Sequence, residues 1–535
     1  MAIAHAHQLL EHDAPASIVR RASPTERSPL LQLSLPPSPS PPLKLNAVSK
    51  ADCSSTSNSV SVALSIDDKD DLLADDDDAS VATELRDLLA LAYPVVVTTA
   101  LEFMPGFTST ILAGHLDSPL TKEYVDAATL STMFLNISGY SIGYGFATAL
   151  DTLASQAFGA KRFDKIGVYL QSGLLVTAAC LLPIVVVNYA YSAPFLLAMH
   201  QDPTVAELAQ TFTRYSLPGL PFVLVYELQR QVLQAQGIMA PLVAIAVASN
   251  LVQVVVGYWL AYCTPLGFVG IALSRSLSSA TLPLFLALYF RFVRPDHLTQ
   301  WWHGWDLAAA RRHVGLFLRL GVPGLLMMVM EWWAFEILSL LAGVLPDRVV
   351  AVSAHAVQAN VASLGYMTVL GFSVAANLRV GHHLGANQPR RARLVSRLAI
   401  KLVAGIGLSF AAALLLGRRV IPWLFVGDAL TVDRASHVLL VWACFEPIEA
   451  LNCLLQGVFQ GAGRQDTAAR TNAVAYYAVG MPLAYVLGVR AGWGVEGLWL
   501  GFGLGMSVSL LTLLTSLGRW QWRALADAAQ ERTAE

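Results

Sequence analysis

Apolar segments long enough to cross a bilayer recur along the chain from about residue 88 to residue 517, separated by polar breaks marked with Gly or Pro. A spanning helix needs about 20 predominantly apolar residues. On that basis the pattern predicts helices near 88–114, 128–150, 166–189, 206–229, 241–263, 268–290, 314–343, 350–376, 396–417, 436–460, 472–489 and 494–517. The expected fold class is an all-α polytopic membrane protein with about twelve transmembrane helices. The stretch Gly321 to Gly343 breaks its apolar run with Glu331 near the middle and Glu336 further on. A charged residue at mid-bilayer depth costs about 2.5–3.5 kcal/mol on insertion scales and is a functional candidate. The competing reading is a structural pairing with a neighbouring helix.

The segment before the first apolar run is of another kind. Ser23 to Pro42 is rich in Ser, Pro and Leu, and Asp75 to Asp78 is an acidic run. Such a composition cannot bury enough apolar surface to offset its ordering entropy, which predicts a disordered cytosolic tail over 1–83. Two stretches in it fit a short acidic dileucine pattern, Glu26 with Leu30-Leu31 and Asp68 with Leu72-Leu73. That pattern resembles an endosomal or vacuolar address read by sorting adaptors; chance occurrence in a Leu- and Asp-rich tail is the alternative.

Composition agrees with the membrane reading. The 535 residues are 55% hydrophobic and 13% charged, where a soluble protein is nearer a quarter charged. No basic block suggests nucleic acid. The five cysteines form no CxxC pair and no His, Cys or carboxylate spacing suggests a metal site. Adjacent His382 and His383 read as a solvated loop end, and His355 as a helix–helix contact. Positive charge concentrates in the even-numbered loops, at Lys161, Arg162 and Lys165, at Arg291, Arg294, Arg311 and Arg312, at Arg379, Arg390, Arg391, Arg393 and Arg397, and at Arg464 and Arg470, with the ninth loop (Arg418, Arg419 and Arg434) as the exception among the odd ones. The positive-inside rule then puts these loops and both termini in the cytosol.

The two halves of the chain repeat each other. Gly139-Tyr140 and Gly365-Tyr366 stand 226 positions apart, as do Gly145 and Gly371, Gly159 and Gly385, Pro221 and Pro447, and Gln234 and Gln460. The first and seventh helices align with a slightly different shift, matching Pro94 with Pro323 and Glu102 with Glu331. Six helices per half start both halves on the same side, so the repeat axis runs along the membrane normal, the parallel-repeat case among transporters. The expected division is an N-terminal lobe over 84–294, a cytosolic linker over 295–312, a C-terminal lobe over 313–518 and a cytosolic tail over 519–535.

With these residues in place the chain resembles the multidrug and toxic compound extrusion (MATE) family, in its eukaryotic branch. The resemblance rests on Ala149-Leu-Asp-Thr-Leu-Ala-Ser-Gln-Ala-Phe-Gly-Ala160, Gln234-Ala-Gln-Gly237, Ser249-Asn-Leu-Val252, Met330-Glu-Trp-Trp-Ala-Phe-Glu336, Gly457-Val-Phe-Gln-Gly-Ala-Gly463 and Tyr476-Tyr477-Ala-Val-Gly-Met-Pro482. It implies a secondary antiporter that is not an enzyme and has no cofactor. Such a protein exports organic cations, xenobiotics or metabolites against protons, with sodium the less favoured ion, through a V-shaped pair of six-helix lobes. It further implies that Glu331, Glu336 and Glu449 sit where eukaryotic members keep essential acids, with Glu446 one turn from Glu449. Ser109 stands where bacterial members often hold an Asp, and Glu102 is a candidate to replace it from the turn above.

Burial favours the neutral form of a carboxyl and a nearby cation favours the ionised form, so a proton and a cationic substrate compete for one acid. Glu331 is expected to be the central coupling residue, faced by Glu446 and Glu449 at i and i+3 on one helix face. Glu336 lies about 140° round the helix from Glu331 and belongs to another surface. Further candidates for the cleft are Trp333, Phe335, Asn250, Gln234, Tyr476 and Tyr477, with packing against lipid or neighbouring helices as the alternative for the aromatic rings. Asp151 reads as an anchor for the basic loop at the cytosolic end of the second helix, and Glu227 and Arg230 as an i, i+3 pair. The expected surroundings are a small-molecule substrate and the lipid bilayer of the vacuole, an endosome or the plasma membrane, for a monomer. Three other classes remain as alternatives: a related flippase of lipid-linked substrates, a duplicated carrier of the major facilitator type, and a membrane-embedded lipid enzyme.

Overall fold

The computed structural model describes residues 74–199 and 201–534, with side chains described from residue 81 onward. The sorting-motif candidates Glu26, Leu30, Leu31, Asp68, Leu72 and Leu73 lie outside the described residues. Every apolar segment is helical, as it must be where no water is present to satisfy backbone groups. The helices are α1 (Ala74–Gly114), α2 (Thr121–Leu135), α3 (Ser141–Gly159), α4 (Phe163–Ala198), α5 (Pro203–Ser216), α6 (Leu220–Ala235), α7 (Ala240–Tyr262), α8 (Gly267–Leu288), α9 (Asp296–Thr299), α10 (Leu307–Ala342), α11 (Arg348–Gly385), α12 (Pro389–Gly417), α13 (Ala429–Gly461), α14 (Gln465–Asn472), α15 (Met481–Tyr485), α16 (Gly494–Gly518) and α17 (Trp522–Ala534). Among the described residues, ten helices are long and apolar enough to cross a membrane. Two further helical paths fall outside that set: α2 runs into α3 through the wide turn Asn136–Tyr140, and α5 into α6 through the tight turn Leu217–Gly219.

The structure corrects the sequence reading at its edges. The segment 74–83, expected to be disordered, belongs to α1; an acidic run suits the start of a helix, where the backbone dipole is positive. The expected linker is ordered: Trp301 is buried and α10 already starts at Leu307. The C-terminal tail is a helix, α17, that buries Leu525, Ala526 and Ala529 against α11, α12 and α3. His382 and His383 are not a solvated loop end. They lie inside α11, where His383 Nε2 meets Glu84 Oε1 at 3.0 Å and His382 Nε2 donates to the Ala235 carbonyl at 2.6 Å.

The halves meet where α3 crosses α11, and the contact is reciprocal. A Cβ added at Gly159 would lie 2.1 Å from the His382 carbonyl oxygen, and one added at Gly385 would lie 2.1 Å from that of Gln156. Each pair is the other displaced by 226 positions. The hydrogen bonds repeat the pattern: Gln156 Nε2 donates to the Gly461 carbonyl at 2.9 Å, and His382 Nε2 to the carbonyl of Ala235. Both acceptors are among the terminal carbonyls that a helix end leaves without a partner of its own. The first helix of each half packs on the other half, α1 on α11 and α10 on α3. Gly145 admits Leu325 and Gly371 admits Val96 at these contacts.

Gly159→Val and Gly385→Val are each expected to destabilise the protein by at least about 1–3 kcal/mol, the usual range for overpacking, because the obstructing atoms are backbone. Gly315→Ala, which meets nothing within 4 Å, is expected to leave the thermal unfolding midpoint in place. Equal midpoints for the three variants would contradict the close crossing.

Candidate functional site

Helix α13 places the acids of the second half. Its N-terminus is fixed by Asp428, whose carboxylate accepts from the Thr431 backbone N–H at 2.9 Å and hydroxyl at 2.8 Å. These bonds hold the Asp428 carboxyl below the usual aspartate range. Further along, Glu446 and Glu449 are both buried on the face turned inward. Trp442 donates its indole N–H to Glu446 at 2.8 Å, one turn away on the same helix. Glu331 of α10 is buried as well, with Gln456 of α13 as its polar neighbour.

Glu449 lies within electrostatic reach of both Glu446 and Glu331, and Tyr366 and Tyr476 within reach of Glu331 and Glu449. The acids thus form one cluster within the second half. Among the described residues no arginine or lysine acts on any of the three. An isolated ionised carboxylate is costly in such a place.

The first half holds a second cluster of opposite character. Arg230 of α6 meets Glu102 of α1 at 2.8 Å and Glu227 at 2.6 Å, and Gln231 donates to Glu227 at 2.7 Å. The i, i+3 pair read from sequence is therefore part of a triad that also takes up Glu102. Asp151 is not at the loop end, since α3 continues two turns past it. It is buried, within electrostatic reach of Glu227 and Arg230. Sequence reasoning missed this grouping because nothing local links positions 102, 151 and 230.

The other candidates are dispersed. Glu336 is half-buried on another face of α10, with no hydrogen-bonding or ionic partner among the described residues. Trp333 is 46% exposed. Phe335 packs against Trp499 and Phe502, and His355 lies against Trp499. Tyr477 donates to the Met330 carbonyl at 3.0 Å, and Gln234 is buried near the end of α6. Asn250 donates to the Leu101 carbonyl at 3.0 Å. Pro105, four residues on, has no N–H to offer that carbonyl, so Asn250 fills the gap. Buried Arg275 of α8, which donates to Thr132 at 2.7 Å, was not singled out from sequence.

These features define a multi-pass α-helical membrane protein made by duplication, with buried charge in each half. The MatE family model matches twice, over residues 94–259 and 323–486. Multidrug and toxin extrusion protein 1 of Danio rerio is 34% identical over 451 residues, covering 84% of this chain and 74% of that protein. Multidrug and toxin extrusion protein 2 of Mus musculus is 35% identical over 453 residues, covering 84% of this chain and 77% of that protein. The crystal structure of the eukaryotic MATE transporter AtDTX14 matches with a TM-score of 0.79 and 28% identity, over 85% of this chain and 100% of that one. The chain belongs to the MATE family of transporters, in its eukaryotic branch.

Removing one partner of a buried ion pair costs about 3–5 kcal/mol, because it strands the other charge. Arg230→Met is expected to lose stability on that scale in thermal unfolding. Adding Glu102→Gln and Glu227→Gln to it is expected to recover most of the loss. A triple variant no more stable than Arg230→Met would argue against the triad.

Proposed function

We propose that the protein is a secondary antiporter that exports organic cations, including drugs and toxins, in exchange for protons. The observation that carries this reading is the second-half cluster of Glu331, Glu446 and Glu449, which is buried and lacks an internal cation among the described residues. Such a group is filled either by protons or by a positively charged substrate, and competition between the two couples their movements. The multidrug and toxin extrusion relatives support the substrate class. Glu with no oxygen cage about it favours protons over sodium. In this reading the chain forms two six-helix lobes, over 84–294 and 313–518, related by a pseudo-two-fold axis along the membrane normal and acting as a monomer.

The lobes rock to expose the cluster to alternate sides of a plasma or vacuolar membrane. The basic loops and both termini face the cytosol. The reciprocal bonds of Gln156 and His382 close the arginine-rich end, and the passage to the inward-open state breaks them. Glu336, on a different face, stands apart from the coupling cluster. Glu102, already neutralised by Arg230, organises the first lobe.

In proteoliposomes with an imposed pH gradient, the protein is expected to drive uptake of tetraethylammonium, and Glu331→Gln to reduce the gradient-driven component to background. Glu336→Gln is expected to keep most of it. Transport unchanged in Glu331→Gln would refute the coupling role, and equal stimulation by a sodium gradient at uniform pH would refute the proton.

A further inference from the structure

A cavity of about 670 Å³ opens at the arginine-rich end, between α10, the turn from α13 to α14, and α17. Four arginines line it: Arg319 of α10, Arg464 of the turn, Arg519 beside α17, and Arg532 on α17. Only two carboxylates share the lining. Asp466 is already paired with Arg470, and Glu531 is exposed. Arg532 is half-buried, and its Nε is buried without a hydrogen-bond partner. Burial, with Arg464 and Arg319 close by, brings its guanidinium down to about 10.

Space for that guanidinium is provided by Gly463, where a Cβ would lie 2.3 Å from Arg532 Nη1. Its counterpart in the other half, Gly237, faces nothing nearer than Leu91 Cδ2 at 4.0 Å. Four cations gathered around one cavity repel one another unless an anion joins them. Arginine forks match phosphate oxygens in pairs. The level of the site is marked by Trp520 and Trp522, whose rings stand 5.3 Å apart, a residue type that gathers at membrane–water interfaces. Basic pockets between membrane helices at this level suit phosphorylated headgroups.

We propose that this cavity binds a phosphate monoester or diphosphate group, carried by a membrane lipid or free in solution, between α17 and the second-half helices. The same helix is tied to the first half, since Arg162 Nη1 donates to the Thr533 carbonyl at 2.9 Å and Tyr169 to that of Arg532 at 3.0 Å. Gln530 also donates to the carbonyl of Gly385. A bound phosphate therefore holds α17 across both halves and stabilises the form in which this end is closed.

The test uses full-length protein in nanodiscs and a binding readout that needs no transport. The probes are phosphatidylinositol 4-phosphate in phosphatidylcholine, phosphatidylcholine alone, and inorganic pyrophosphate in solution. The phosphoinositide is expected to bind saturably and raise the unfolding midpoint. The double variant Arg464→Gln, Arg519→Gln, whose side chains are exposed, is expected to unfold at the same midpoint in phosphatidylcholine alone and to bind at least about tenfold more weakly, as loss of one charge-assisted hydrogen bond implies. A control at exposed Arg391 and Arg393, changed to Gln, is expected to bind as the unmodified protein does. Saturable pyrophosphate binding lost in the same variant would assign the site to a soluble phosphate. No binding of either probe, binding that survives the double variant, or equal loss in the control would overturn the proposal.

Discussion

The structure depends on how two helix ends are completed. Helices α6 and α13 each finish at the arginine-rich end with carbonyls that have no partner of their own. Gln156 reaches across from α3 to one, and His382 reaches across from α11 to the other. Because α3 and α11 must approach closely for this, Gly159 and Gly385 lie at their crossing, each against the other helix's backbone. Thr152 adds a bond to the Gln460 carbonyl at 2.8 Å and accepts one from Gln465 at 2.6 Å. The run from Thr152 to Gly159 is therefore an interface between the halves before it is anything else.

Against that symmetrical frame the two halves handle charge in different ways. The first half encloses Arg230 among Glu102 and Glu227, so part of its negative charge is balanced within the protein. The second half encloses three carboxylates and supplies hydroxyls, an amide and an indole, but no cation among its described residues. Replacing a buried ion pair by apolar groups is often neutral or better for stability, so retention of charge in both halves is not accounted for by stability. The first-half carboxylates share an internal cation, whereas the second-half cluster has none among the described residues.

Much of this was legible in the chain. The hydropathy period located the helices, and the spacing of Pro94 and Glu102 against Pro323 and Glu331 exposed the repeat. The i, i+3 relation of Glu446 and Glu449 put two acids on one face, and α10 brought Glu331 to the same cluster. What was not legible was long-range. The Glu102–Arg230 pair joins α1 to α6, and His382 is half-buried because α6 ends beside it. Residue type also misled: a histidine pair next to a basic loop reads as solvated, and a short polar tail reads as loose, unless the surface that receives them is known. Trp333 and Phe335 belong to the same difficulty, since a helix in lipid hides no direction from apolar side chains and composition cannot say which face points inward.

The departures from symmetry at Gly463 and Gly237 follow the same logic. Both glycines have positive φ, near 69° and 73°, which the turn after each helix requires of a residue without a side chain. The turn alone thus accounts for a glycine at each place. Only at Gly463 is the missing side chain also a space, and Arg532 of α17 occupies it. Helix α17 is docked on the turn at Gly463, whereas the matching turn at Gly237 is left open. The cost is a guanidinium drawn out of water beside two others, and the gain is a helix that touches α3, α11 and α12 together.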